Sequence, residues 1–396
     1  MEKITLKDRV RNFGPAWLVM IADIDIASII TGLQAGSVWG YRMVFVMLIL
    51  TIPLFFVQDA AGRLGIASGM GLGRAVYKYM GRKTAMFAAI PMGISDFLEY
   101  VAEYAGIAVG LYLLKLPLIP GLIAVYILHT AIVLGKRYRQ AEIFLLPISF
   151  VVVAGIALSL EIFHINTYML VSIGLNPLQP YGDPSFDYLL AASMGAVVMP
   201  WMLYFHSGAD SRKGKGSNLL RDERLETIIG AFVSEVLMAV IVLVGMNLGS
   251  GGSLIGISEL PKAISIFGQS ASLLLGVGFM AAGFLALVVI SLGSAWGVLE
   301  ALNTETSTSF LSVYIVESIP ALLLVVFTTG YLQLILNLMV IYTIIILPSL
   351  FLLGRLVSKA DVMNGYHYGR TWQIIFWTMS ILIAVSGLAG LFSFIP

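Results

Sequence analysis

From about residue 13 the chain repeats one pattern, in which a long apolar run is closed by a short polar turn and followed by another apolar run. A helix needs roughly 20 apolar residues to cross about 30 Å of hydrocarbon, and these runs meet that length. Eleven of them can be placed, near 13–37, 43–62, 86–114, 117–135, 141–162, 188–208, 226–249, 269–301, 308–328, 331–354 and 371–395. The pattern therefore predicts an all-α polytopic membrane protein. The longest polar interruption, HINTYMLVSIGLNPLQPYGDPSFD at 164–187, is rich in turn formers and has no lysine or arginine. The least marked boundary is NTETSTS at 303–309, between spans eight and nine.

Composition agrees with the pattern. Hydrophobic residues make up 59% of the 396 and charged residues only 11%, too few to cover a soluble domain. The absence of cysteine removes disulfides, zinc-thiolate sites and thiol catalysis. The first ten residues are charged and the first apolar run has no small-residue cleavage site, so no cleaved targeting segment is expected. Basic residues occupy alternate loops. Of 23 lysines and arginines, only Arg42, Lys115 and Lys262 fall on the side opposite the rest, which include Lys3, Lys7, Arg9, Arg11, Lys136, Arg137, Arg139 and Lys215. By the positive-inside rule the N-terminus is expected in the cytoplasm and the C-terminus outside, in the cell (inner or plasma) membrane. Nothing in the chain supports nucleic-acid binding, a cofactor or an obligate protein partner.

Polar residues inside the apolar runs carry the chemistry. Span one holds Asp23, Asp25 and Ser28 within MIADIDIASII, 20–30, although a central carboxylate costs about 2.5–3.5 kcal/mol on insertion scales. In span three, SDFLEYVAEYAG places Asp96, Glu99 and Glu103 at steps of three and four, on one helix face. Span six, AASMGAVVMPWMLYFHSGAD, has Pro200 in its middle, where a break or kink is expected. Spans one and six are five apart, and interruptions at matching places point to an inverted-repeat transporter with its site between two broken helices. The repeats would run about 13–162 and 188–354, with an extra helix at 371–395, all within one transport domain.

Unwound backbone turns carbonyls into a cavity, and a carboxylate among carbonyls describes a cation site. Met199, beside Pro200, would add a soft thioether that suits transition metals. Asp59 and Glu300 lie near span ends and read as interfacial. His129, His164 and His367 lie at ends or in loops with no partner at metal-site spacing. No nucleophile with a base and no cofactor motif is present, so no enzymatic activity is expected.

These segments resemble the Nramp family of divalent-metal transporters. GPAWLVMIADIDIASIITGLQAGSVWGY is similar to that family's first-helix pattern, and MPWMLYFHSGADSR to its sixth, MPHNLYLHS. RLGIASG and AEYAGIAVGLYLL match too. The rest of the chain follows mainly through span order and ESIPALL. The resemblance implies a LeuT-like fold, with Asp25 as the metal-binding aspartate, Met199 as the metal-binding methionine, and the carbonyls of Ala22 and Ala196 facing the ion. The chain departs from the pattern around these positions. Ile26, Ala27 and Ser28 stand for Pro-Gly-Asn, Asp23 for a tyrosine, and Trp201 and Met202 for His-Asn.

In the family a proton route is attributed to the span-six histidine, an acidic pair on span three and arginines on span nine. Here Glu103 matches the second acid, Tyr100 falls on the first, and VYIVESIP at 313–320 has no arginine. Glu103, Glu99, Asp96 and the retained His206 are what remain for a proton or gating network. The expectation is a carrier of Mn2+ or Fe2+ working by alternating access, with proton coupling weak or absent. The alternative is an uncoupled Mg2+-permeable carrier, since some relatives move magnesium and depart from the pattern at the same positions. An added Asp23 and a small Ser28 would suit a hydrated hard ion, whereas Met199 opposes it. A carrier of organic solutes, or a metal sensor that no longer transports, is the remaining class.

Overall fold

The computed structural model describes residues 13–135, 138–213, 220–248, 259–304, 306–327 and 332–393, with backbone only at 138–140 and 307. The basic residues expected on one face at positions 3, 7, 9, 11, 136, 137 and 215 lie outside this set.

Helices α1 (Pro15–Ala22) and α2 (Ile26–Trp39) form one span bent by 48° across three residues. Then come α3 (Arg42–Ser68), the short α4 (Leu72–Met80), α5 (Arg82–Leu113), α6 (Leu118–Val133) and α7 (Tyr138–Ser159). The second broken span is α8 (Pro184–Val197) with α9 (Pro200–Lys213), followed by α10 (Leu220–Leu248), α11 (Gln269–Leu302), α12 (Ser307–Phe327), α13 (Leu332–Val357) and α14 (Arg370–Phe392). Counting each broken pair once, the described residues form eleven apolar spans, α6 being the shortest unbroken one at 16 residues. All eleven expected runs are helical. The weak boundary after span eight is real, because Asn303 takes a left-handed conformation (φ 55°) and stops α11.

Local chemistry sets the ends of the broken spans. Pro15 opens α1, where its missing N–H costs nothing, and Glu226 of α10 accepts the N–H groups of Gly14 (2.8 Å) and Trp17 (3.0 Å). Asp183 caps α8 by accepting from Ser185 N–H (2.9 Å), with Pro184 in the first helical position. Pro53, Pro91, Pro147, Pro320 and Pro348 sit inside long helices without ending them. Among the described residues, Pro200 is the proline that stands at the interruption of a span.

Two faces of the bundle differ. Inside, α2 packs on α10 so closely that a Cβ at Gly245 would lie 2.2 Å from the Leu33 carbonyl oxygen. Outside, Phe87, Ile94, Ile127, Ile143, Phe150, Phe232 and Ile381 project outward and exposed, as a surface solvated by lipid requires. The α1–α2 and α8–α9 breaks lie in the buried interior, with α3, α5, α10, α11 and α13 packed around them.

Candidate metal site

The first break forms without proline or glycine, and two carboxylates are the reason. In an unbroken helix Ile26 N–H would donate to the Ala22 carbonyl; instead it donates to Glu103 of α5, at 3.0 and 3.3 Å from the two oxygens. Ser28 N–H would donate to Ile24 and donates to Asp25 Oδ1 at 2.7 Å, so Asp25 is the N-cap of α2. The Ala22 carbonyl thereby loses its helical donor, and Asp25 is held in extended backbone (φ −82°, ψ 179°). Asp25 Oδ2 accepts no hydrogen bond.

The second break mirrors the first. Val198 N–H closes α8 on Met194 (3.1 Å), and Pro200 has no N–H to offer the Ala196 carbonyl. That carbonyl accepts the Ser28 hydroxyl at 3.1 Å instead. One hydrogen bond therefore ties the start of α2 to the end of α8. Met199 is fully buried within this break.

Helix α5 completes the site. Single ligand atoms of Asp25, Glu99 and Glu103 all lie within 4.8 Å of one another, and all three residues are fully buried. Neither Glu99 oxygen accepts a hydrogen bond, and no lysine or arginine among the described residues forms an ion pair with any of the three. Buried carboxylates without a basic partner demand a cation or a proton. The structure thus joins Glu99 and Glu103, which the sequence suggested only for protons or gating, to Asp25.

Other candidates lie elsewhere. Asp23 turns toward α10, where Ser234 Oγ donates to its Oδ2 at 3.0 Å, and Glu235 is the strongest charged neighbour. Asp96 faces Glu317 of α12, whose Oε1 accepts from Ser294 at 2.8 Å. His206 belongs to a separate buried group, with Nε2 2.7 Å from Glu223 and 3.5 Å from Asp210, and Nδ1 3.1 Å from Gln58.

Three sequence readings need correction. His129, one turn before the end of α6, is fully buried and has partners, 2.8 Å from Ser291 Oγ and 3.3 Å from the Tyr314 hydroxyl. Asp59 is not exposed at its span but buried, where it binds Arg224 (2.7 and 3.1 Å) and the Tyr368 hydroxyl (2.5 Å). Glu300 is buried likewise and pairs with Arg212 at 2.9 Å. Their partners come from helices remote in sequence, which proximity to a span end cannot reveal. Glu235, Glu317, Glu223 and Asp210 were missed, although a carboxylate in an apolar run, or four residues after a histidine, was a usable signal.

Eleven spans, two of them broken at facing positions around buried carboxylates, define an inverted-repeat secondary transporter with a LeuT-like fold. The chain belongs to the Nramp family: the model described as natural resistance-associated macrophage protein-like matches residues 16–393. A Bacillus subtilis (strain 168) protein named divalent metal cation transporter MntH is 29% identical over 299 residues, 70% of this chain and 69% of that protein. A Staphylococcus aureus (strain Mu3) protein of the same name is 25% identical over 407 residues, 94% of this chain and 88% of the other. The fold is similar to that of a manganese transporter from Eremococcus coleocola, with TM-score 0.82 and 20% identity, covering 98% of this chain and 87% of that one.

Proposed function

We propose that this chain carries Mn2+ or Fe2+ across the membrane by alternating access, holding the ion between its two helix breaks. Asp25 Oδ2 and the Ala22 carbonyl would bind from the first break, and Met199 and the Ala196 carbonyl from the second. The observation that carries this reading is the Ser28–Ala196 hydrogen bond, which brings the breaks together beside a buried carboxylate oxygen that accepts from no donor. The thioether favours ions softer than magnesium. The names of the Bacillus and Staphylococcus relatives agree with a divalent cation as substrate.

The same reading includes weak or absent coupling to protons. Helix α12 carries Glu317 and no lysine or arginine, and Trp201 stands directly after Pro200. An indole cannot carry a proton between carboxylates. The protein would sit in the cell membrane with its N-terminus cytoplasmic, as one transport domain whose repeats run about 13–162 and 188–354 beside an extra helix at 371–395. Uncoupled Mg2+ passage is the second reading, favoured by the all-oxygen set of Asp25, Glu99 and Glu103 and opposed by Met199.

Uptake into proteoliposomes, with an internal pH indicator, tests both parts. Saturable Mn2+ entry faster than Mg2+ entry, with no acidification of the lumen, is expected. Entry of neither ion would contradict the transport reading, and acidification in step with Mn2+ would contradict the uncoupled part alone.

A further inference from the structure

The two breaks alone leave the ion short of ligands. Asp25 spends one oxygen on Ser28 N–H, and the Ser28 hydroxyl is directed to the Ala196 carbonyl. What remains is one carboxylate oxygen, two carbonyls and a thioether, whereas hard divalent ions take six or more ligands, mostly oxygen. Glu103 does not fill the gap, because both its oxygens accept Ile26 N–H and fix the break. Glu99 is different. It is fully buried, neither of its oxygens accepts a hydrogen bond, and one lies within 4.8 Å of ligand atoms on both Asp25 and Glu103. An ion with bonds of about 2.0–2.6 Å can bridge oxygens so spaced with small side-chain adjustment.

We propose that Glu99 is a direct ligand of the transported ion, making the site richer in carboxylate than the helix breaks alone provide and giving it a preference for hard divalent cations. This rests on the reading of the two breaks as the ion site. Its consequence is a division of labour. Asp25 and Glu99 supply hard oxygen to Mn2+ and Mg2+ alike, while Met199 adds affinity for ions softer than Mg2+, a little for Mn2+ and most for Cd2+. Tyr342 of α13 is a neighbour of Glu99, with its hydroxyl donating to the Ser95 carbonyl at 3.3 Å. A pair of acids that only share a proton would stay closed without metal and would not discriminate between metals.

Calorimetric titration of the purified full-length protein with Mn2+, Mg2+ and Cd2+ separates these cases. Glu99→Gln keeps the shape and loses the charge. It should lower Mn2+ and Mg2+ affinity by about tenfold or more while lowering Cd2+ affinity less. Glu99→Ala should widen that gap. Unchanged Mn2+ affinity in both variants, or an equal loss for all three metals, would overturn the proposal. Asp25→Ala is the control for the underlying site and should abolish binding of every ion. If it does so while the Glu99 variants leave the metal preference intact, only the role of Glu99 fails. If Asp25→Ala still binds, the site itself has been misplaced.

Discussion

Glu103 and Asp25 together do what a helix-breaking residue would otherwise do at the first break. Each takes an N–H that a continuous helix would have given to a carbonyl, and so the Ala22 carbonyl is left without its helical donor although no proline or glycine stands at 26–28. Glu103→Ala should leave Ile26 N–H buried and unsatisfied, at a cost of about 1–3 kcal/mol, or let the helix close on Ala22. Thermal unfolding of the purified protein should show a clear loss for Glu103→Ala and little for Glu103→Gln, which keeps an acceptor; equal melting of all three would contradict the capping role. Met199→Ala should reduce the preference for Mn2+ over Mg2+ in competition uptake, and an unchanged preference would remove the thioether from the site. Asp25 and Met199 could be found from sequence because each sits at an interruption of an apolar run. The partner of Asp23 could not, since Ser234 is 211 residues away and nothing local signals it.

At the scale of helices, the breaks are useful only if their surroundings hold them in register. Helix α2 is pinned to α10 through backbone contact, where a Cβ at Gly245 would lie 2.2 Å from the Leu33 carbonyl oxygen and have no flexible atom to displace. Gly245→Ala should push α2 away, carry Asp25 with it, and lower both melting temperature and Mn2+ uptake. Gly278→Ala on α11 meets nothing within 4 Å and is the matched control. Uptake by Gly245→Ala equal to that of the control would show that this packing does not position the site. The spans and the second break were legible because length, hydropathy and proline act locally, and the first showed itself through two carboxylates inside an apolar run. The junction of α5 with the first break was not: the spacing of Glu99 and Glu103 gave their shared face, but not what that face meets.

Across the whole molecule, Asp25, Glu99, Glu103 and Met199 are all fully buried, so an ion can enter or leave only after one side opens. Two ion pairs are the expected latch on the basic side of the bundle: Arg212 with Glu300, its guanidinium 4.1 Å from the Trp296 ring centre, and Arg224 with Asp59, 4.1 Å from that of Trp372. Tyr368, in the loop between α13 and α14, donates to Asp59. Burial first, and the Asp59 carboxylate next, hold its hydroxyl well above the usual tyrosine value. The contact is therefore fully present below about pH 10 and is lost only as pH rises beyond that toward the raised value.

Because the chain has no cysteine, one introduced at the buried Ala209 of α9 reports opening without background. It should react slowly with a thiol reagent alone and faster when combined with Arg212→Ala; equal rates would mean that this ion pair is not part of the latch. The central claim, that a divalent metal crosses through the Asp25 site, is tested most directly by Mn2+ uptake into proteoliposomes holding Asp25→Ala at matched protein content and melting temperature. Complete loss of saturable uptake is predicted, and uptake retained at the level of the unaltered protein would contradict the account.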